Sequence, residues 1–248
     1  MKIQAAIFAL VALGTATAAN LPSSWKTCKR DSQNYNTCLK EATTGVLKEL
    51  KSGNSALKLS PLDPVRIEKI TLKQGAGTAV GLTINFKNLI INGLSNGKVE
   101  SMNINHKKRE ITIDYSLQSP LKMQGDYTSK GRILLIPLNG VGKSTLVFDD
   151  FKGKCVLRCK SVKKGGQEFW EVLKTDINIE TSRLHLNFKR TQNINEGLGA
   201  NLNTFLNENW KEILQDLKPA ISKEFGSIFK NYANSLFSQV PFDQISPA

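Results

Sequence analysis

Between Asn195 and Phe237 the large apolar side chains Leu198, Leu202, Phe205, Leu206, Ile213, Leu217, Ile221, Phe225, Ile228, Tyr232 and Leu236 follow one another at helical steps. They draw a single stripe down one face of a helix. Glu208, Lys211, Glu212, Gln215, Lys218, Ser222, Lys223 and Lys230 fill the opposite face. At 1.5 Å per residue the rod is roughly 60 Å long, longer than a small domain is wide. Something must cover the stripe along much of that length. Pro219 lies mid-helix, where proline costs about 3 kcal/mol. The rod therefore kinks there, or restarts with Pro219 in its first turn.

The cover is the middle of the chain, where the period falls to two. Leu82, Ile84 and Phe86 alternate with polar residues, as do Ile111, Ile113, Tyr115 and Leu117, and then Leu184, Leu186 and Phe188. Further strands are expected at Arg66–Lys73, Val99–Asn105, Leu121–Tyr127, Arg132–Leu138, Ser144–Asp149, Glu168–Leu173 and Asp176–Glu180. Breakers at Asn92-Gly93, Asn96-Gly97, Ser129-Lys130-Gly131, Asn139-Gly140 and Gly165-Gly166 separate them. This pattern describes an antiparallel meander with one buried face. Ahead of it, Thr37–Lys51 carries Leu39, Ala42, Val46, Leu47 and Leu50 at helical spacing, closed by Gly53 as a C-cap. The expected fold is α+β: a long C-terminal helix wrapped by a strongly curved antiparallel sheet, with a short N-terminal helix. No repeat or linker divides it, so residues 19–248 form one elongated domain.

Residues 1–18 stand apart. Lys2, the apolar run Ile3–Leu13 and the small-residue site Ala16-Thr17-Ala18 read as a secretory leader, too short to span a bilayer. The protein is expected outside the cell. Lysine and arginine outnumber the acids 34 to 21, a net charge of +13, or +12 without Lys2. In a secreted chain this points to solubility, or to weak contact with anionic membranes or glycans, and not to nucleic acid. Cys28 and Cys38, with nine residues between them, suit a disulfide worth about 2–3 kcal/mol in an oxidising compartment. Cys155 and Cys159 would lie roughly 13 Å apart in one extended strand, beyond disulfide reach. They can pair only if Val156-Leu157-Arg158 turns. Neither histidine stands at ligand spacing from the cysteines, so no metal site is expected.

Chemical motifs are sparse. Gly140-Val141-Gly142-Lys143-Ser144-Thr145 resembles a phosphate loop, but Pro137 occupies the place of its first glycine, and the context is a hairpin turn. His106 sits in the polar run Asn105–Arg109, an expected exposed tip, and His185 points outward between Leu184 and Leu186. No Gly-x-Ser-x-Gly elbow occurs. No catalytic residue and no cofactor is assigned. The charge runs Lys107–Arg109 and Lys152–Lys164 read as solvated loop faces. The C-terminal aromatics Phe205, Trp210, Phe225, Phe229, Tyr232 and Phe237 are core residues that could equally wall a pocket.

Five short motifs, in order over nearly the whole mature chain, resemble the Takeout and juvenile-hormone-binding-protein family of insects. They are Leu21-Pro22 with the Cys28/Cys38 pair; Leu62-Asp63-Pro64 with Ile67; and Gly125-Asp126-Tyr127 with Gly131-Arg132-Ile133-Leu134 and Ile136–Gly142. The others are Leu198–Trp210, ending Leu206-Asn207-Glu208-Asn209-Trp210, and Val240-Pro241-Phe242. The resemblance implies a curved sheet around the long helix, enclosing an apolar tunnel for a lipophilic guest. It implies that Tyr127 offers a hydroxyl to that guest and that the Cys28–Cys38 bridge pins the N-terminal helix near the tunnel mouth. Hormone-binding members carry a second, distant bridge, which Cys155 and Cys159 do not match. That leans the reading to a Takeout-like carrier.

The expected function is a secreted, non-enzymatic carrier of a terpenoid-type molecule, juvenile-hormone-like or a carotenoid pigment, in haemolymph or a cuticular or epidermal secretion. Its expected site residues are Tyr127, Phe205, Trp210, Phe225, Phe229 and Tyr232. The alternatives are a lipid-transfer or anionic-membrane-binding protein, a chemosensory odorant or pheromone carrier, and a secreted hydrolase.

Overall fold

The computed structural model describes residues 18–75, 80–133, 136–191 and 196–248. The leader, apart from Ala18, lies outside the described residues, as do residues 134–135 of one expected strand and the side chain of Leu198.

Alternation of apolar and polar residues builds two antiparallel sheets. The larger runs β1 (Val65–Lys73), β2 (Val80–Asn92), β5 (Leu121–Ile133), β7 (Gly140–Asp149) and β10 (Arg183–Arg190), with the short β6 (Ile136–Pro137) folded back on β5. The smaller runs β3 (Gly97–Asn105), β4 (Glu110–Leu117), β8 (Lys152–Lys164) and β9 (Gln167–Glu180). The expected meander is therefore corrected: the β3–β4 and β8–β9 hairpins leave the large sheet and pair with each other through β4 and β8. Ile70, Leu72, Leu82, Ile84, Phe86, Leu184, Leu186 and Phe188 point inward and are buried.

Helix α1 (Tyr35–Glu49) leads into a single 3₁₀ turn, Leu50–Ser52, stopped by Gly53 at φ +78°. The Cys28–Cys38 disulfide ties the lead-in to the first turn of this helix, with Cα atoms 5.8 Å apart. The C-terminal rod is α2 (Glu196–Glu208) followed by α3 (Trp210–Phe237). Its interruption is at Asn209, φ −106° and ψ +17°, and not at Pro219, which α3 passes through. The Asn209 side-chain amide donates to the Phe205 carbonyl at 2.8 Å, a local bond that competes with regular helix. Proline removes the N–H that would reach Gln215, but both residues are exposed, so water can take that carbonyl. A last turn, α4 (Phe242–Ile245), closes the chain.

The rod covers the two sheet edges that meet at the β9–β10 connection. On β10, the Leu186 N–H donates to Asn207 Oδ1 at 2.9 Å, and Asn207 Nδ2 donates back to the Leu186 carbonyl at 2.7 Å. Asn203, one turn earlier, makes the same pair with Phe188 at 2.9 and 3.2 Å. On β9, Asn234 pairs with Val172 at 2.7 and 3.1 Å, and Ser222 Oγ accepts from the Ile177 N–H at 3.1 Å. A Cβ on Gly226 would fall 2.9 Å from the Thr175 carbonyl oxygen, so only glycine lets helix and strand approach this closely.

Three further readings change. Strand β5 runs straight through Ser129-Lys130-Gly131, where a turn was expected. The phosphate-loop-like stretch is not a turn but the start of β7; a Cβ on Gly142 would lie 1.9 Å from the Lys189 carbonyl, which is why glycine stands there. The run Lys152–Lys164 is a strand, with two of its outward cations paired: Arg158 to Glu110 at 3.3 Å and to Asp176, and Lys160 to Glu171 at 3.1 Å. Cys155 and Cys159 lie extended in this strand and are unpaired, because no turn brings them together.

Replacing Asn207 or Asn234 by alanine strands an N–H and a carbonyl at a buried edge, a loss of about 1–3 kcal/mol for each variant. Urea unfolding should show this, while alanine at the exposed Asn201 changes stability by less than about 0.5 kcal/mol.

Candidate functional site

Sheets and rod do not fill the space between them. Their inward faces enclose a cavity of about 380 Å³ with an almost wholly apolar wall. The large sheet contributes residues such as Leu82, Ile84, Phe86, Leu146 and Phe148, and the small sheet Ile113, Tyr115, Ile177 and Ile179. Leu206, Ile213, Leu217, Ile221, Phe225, Ile228 and Tyr232 of the rod line it as one stripe. Most of these helical residues remain half-exposed, because the surface they leave uncovered faces the cavity. The buried Gly226 lies on another side of the helix, against β9. A second depression, of about 570 Å³, lies at Lys73, Gly81, Lys130 and Arg132. It is open to solvent and lacks an enclosing apolar wall, so it does not compete as a site for an apolar molecule.

The wall comes nearest to solvent where α1, the start of β1 and α3 contribute to it. Leu47, Val65, Ile67 and Phe225 are half-buried there, and Phe229 is 36 % exposed. Helix α1 reaches the wall through Thr43 and Leu47, on the element held by the Cys28–Cys38 bridge. Asp63 fixes the neighbouring turn, accepting from the Gly93 N–H at 3.1 Å and from the buried Ser95 hydroxyl at 2.8 Å.

The hydroxyl groups in the wall are occupied. The Tyr232 hydroxyl donates to the Ser60 carbonyl at 3.0 Å, and burial pushes its pKa up to about 12. The Tyr115 hydroxyl donates to the Leu94 carbonyl, and burial, then the Asp63 charge, raises its pKa. Thr43 Oγ1 donates to Met102 Sδ at 3.0 Å. Cys155 also borders the cavity; burial, then Asp176, pushes its thiol up to about 12, and burial does the same for Cys159. At neutral pH both are neutral thiols.

Of the six expected site residues, the structure brings Phe225, Phe229 and Tyr232 to the wall and places the other three behind it. Tyr127 is 1 % exposed, its ring edge-on to Phe188 at 4.9 Å. Its hydroxyl and Arg190 Nε are buried with no hydrogen-bond partner among the described residues. Trp210 is buried, with the Arg183 and Lys211 cations 5.9 and 5.7 Å from its ring, and Phe205 packs into the core. The sequence reading confined itself to aromatics and missed the aliphatic strand positions. Their period-two inward spacing was the available signal.

Neither histidine borders the cavity. His106, expected at an exposed tip, is instead half-buried: its Nε2 lies 3.1 Å from Tyr35 Oη, and its ring lies among Tyr35, Trp170 and Phe242. His185 is exposed and pairs with Asp149 at 2.8 Å.

The family model for haemolymph juvenile hormone binding protein matches residues 6–247. The chain belongs to that family. Among curated relatives, the circadian clock-controlled protein daywake of Drosophila melanogaster is 21 % identical over 232 residues, covering 90 % of this chain and 87 % of that one. A putative beta-carotene-binding protein of Schistocerca gregaria is 22 % identical over 223 residues, covering 90 % and 88 %. The crystal structure of Epiphyas postvittana Takeout 1 superposes with a TM-score of 0.76 at 22 % identity, covering 90 % of this chain and 99 % of that one. The architecture is thus the family's, with the curled sheet about the long helix, and the family is one of carriers for hydrophobic ligands.

Two measurements test this geometry. Leu217→Trp should abolish uptake of a hydrophobic fluorescent probe yet cost less than the 1–3 kcal/mol typical of overpacking a filled core. Native protein at pH 8 should show almost no fast thiol reaction with Ellman's reagent. Unreduced, denatured protein should show two thiols, those of Cys155 and Cys159.

Proposed function

We propose that this chain is a secreted, non-enzymatic carrier of a terpenoid-type molecule, held in the cavity between the sheets and α3. The observation that carries the reading is the wall itself: about 380 Å³ of enclosed apolar space whose tyrosine hydroxyls already donate to backbone carbonyls. Binding is by desolvation. Each 100 Å² of apolar guest surface buried is worth about 2.5 kcal/mol, roughly a seventyfold gain in affinity.

The family description and the name of the locust relative supply two candidates, a juvenile hormone and a carotenoid. The volume is near the lower end of the roughly 300–1,000 Å³ usual for small-molecule pockets. It favours a guest of juvenile-hormone size over a full-length carotenoid. Phe225, Phe229 and Tyr232 supply the aromatic wall in this reading. Tyr127 supplies a buried hydroxyl beside Arg190, reached when the Phe188 ring turns aside. Secretion rests on the leader pattern of residues 1–18 and on a family described from haemolymph.

Protein purified from secreting insect cells should release an isoprenoid lipid on organic extraction, identified by mass spectrometry. Tyr127→Phe should weaken an oxygenated terpenoid about three- to tenfold and leave its hydrocarbon analogue unchanged. An empty extract together with no displacement of a bound probe by any terpenoid would refute the carrier reading. An equal response of both ligands to Tyr127→Phe would refute only the role of that hydroxyl.

A further inference from the structure

We propose that the outer face of the large sheet, at the end bearing Lys69, Lys87, Lys143 and Lys189, is a docking surface for an anionic lipid membrane. The strand register places these residues in one row. Lys69 lies opposite Lys87, Lys87 opposite Asp126, Asp126 opposite Lys143, and Lys143 opposite Lys189. With strands about 4.8 Å apart, the row crosses five strands and spans roughly 20 Å. Like charges directly opposite weaken a sheet, and two of the four pairings are of that kind. A partner of opposite charge relieves both.

The patch continues along the strands. Lys73, Lys130 and Arg132 are exposed at the same end of the sheet. Lys143 is bridged to Asp126, but Lys69, Lys73, Lys87, Lys130, Arg132 and Lys189 have no ion-pair partner among the described residues. The acids that the five long strands carry are Glu68 beside Lys69, Asp126, and Asp149. Asp149 is at the far end, engaged by His185. The outer face of the small sheet is the opposite case. There Lys98 pairs with Glu100, Lys160 with Glu171, and Lys174 with Asp176. Along their strands the large sheet carries eleven Lys or Arg against three acids and the small sheet eight against seven, so the excess positive charge of the sheets lies on the large one.

Three features select a membrane among anionic partners. The cations are mostly lysines, compact point charges without the planar fork that grips a single sulfate or phosphate, which suits a diffuse negative potential. Val141, two residues before Lys143 on the same face, is 47 % exposed and offers an apolar contact among them. The row lies on the outer face, away from the cavity, and the depression that Lys73, Lys130 and Arg132 border beside it is broad and open to solvent, without the close walls that would define one small anion. Contact is peripheral: no helix among the described residues is long and apolar enough to cross a bilayer. The inference stands whatever the cavity holds.

The test is cosedimentation of the full mature chain with phosphatidylcholine vesicles, with and without phosphatidylserine. The parent should bind only the doped vesicles and release as salt rises. The triple variant Lys69→Gln, Lys87→Gln, Lys189→Gln should bind about a hundredfold more weakly, about fivefold per lysine. It should melt no lower than the parent, because it loses two like-charge pairs. The control Lys98→Gln, Lys160→Gln, Lys174→Gln changes net charge equally and should bind within about twofold of the parent. If the row variant fails to fold, Lys189→Gln alone replaces it, with an expected fivefold loss. The proposal is overturned if the parent ignores doped vesicles, if both triples lose binding equally, or if heparin beads capture the protein while vesicles do not.

Discussion

A sheet that ends leaves one strand with backbone donors and acceptors facing nothing, and here two such ends meet at the connection between β9 and β10. The fold depends on how that double edge is closed. Asn203, Asn207 and Asn234 each turn a carboxamide toward one strand residue, offering an acceptor to its N–H and a donor to its carbonyl. A carboxamide carries the same pair of groups as a peptide, so the rod takes the place of the next strand. Thr44 does the same on a smaller scale at the other edge of the small sheet, accepting from the Val99 N–H at 3.1 Å. Aggregation-prone edges are thereby covered from within the chain.

Closing the edges this way also sets where the apolar stripe can point. Held to β9 through Asn234, Ser222 and Gly226, α3 must present the side bearing Leu217, Ile221, Phe225 and Ile228 to the interior. The sheets stand too far off to touch that side everywhere, and the remaining space is the cavity. The empty volume is thus a consequence of polar bonds made elsewhere. Filling it would mean either breaking those bonds or supplying a molecule from outside.

Much of this was legible in the residues. The stripe from Leu202 to Leu236 and the alternation of Leu82–Phe86 or Leu184–Phe188 specify a rod and strands by period alone, and those elements stand where the pattern puts them. What escaped were decisions made by tertiary contact. Gly131 and Gly142 read as turn residues, yet both lie inside strands, Gly142 because a neighbouring backbone passes too close for any side chain. The basic run Lys152–Lys164 hid a strand because its inward positions are only Gly153, Cys155, Leu157 and Cys159, a short apolar alternation set among many lysines. Asn203 and Asn207 looked like ordinary polar-face residues; nothing local marks them as strand partners. The division into two sheets is likewise invisible to periodicity, since it depends on which hairpins leave the larger layer. In the candidate site, Phe225, Phe229 and Tyr232 were found by aromatic content. Trp210 and Phe205 show the weakness of that criterion, since large rings serve cores and cavities alike.

The commitment of Tyr115 and Tyr232 to backbone carbonyls has a meaning for selectivity. A wall whose own hydroxyls are spent reads mainly length and girth, so apart from the Tyr127 hydroxyl behind it the chamber sorts homologues by methylene count, each step worth roughly ten- to two-hundredfold at most. Relatives with the same scaffold can then change cargo by trading one aliphatic wall residue for another, leaving the polar seams untouched. Chemical taste in such a protein is a matter of upholstery, and the frame is indifferent to it.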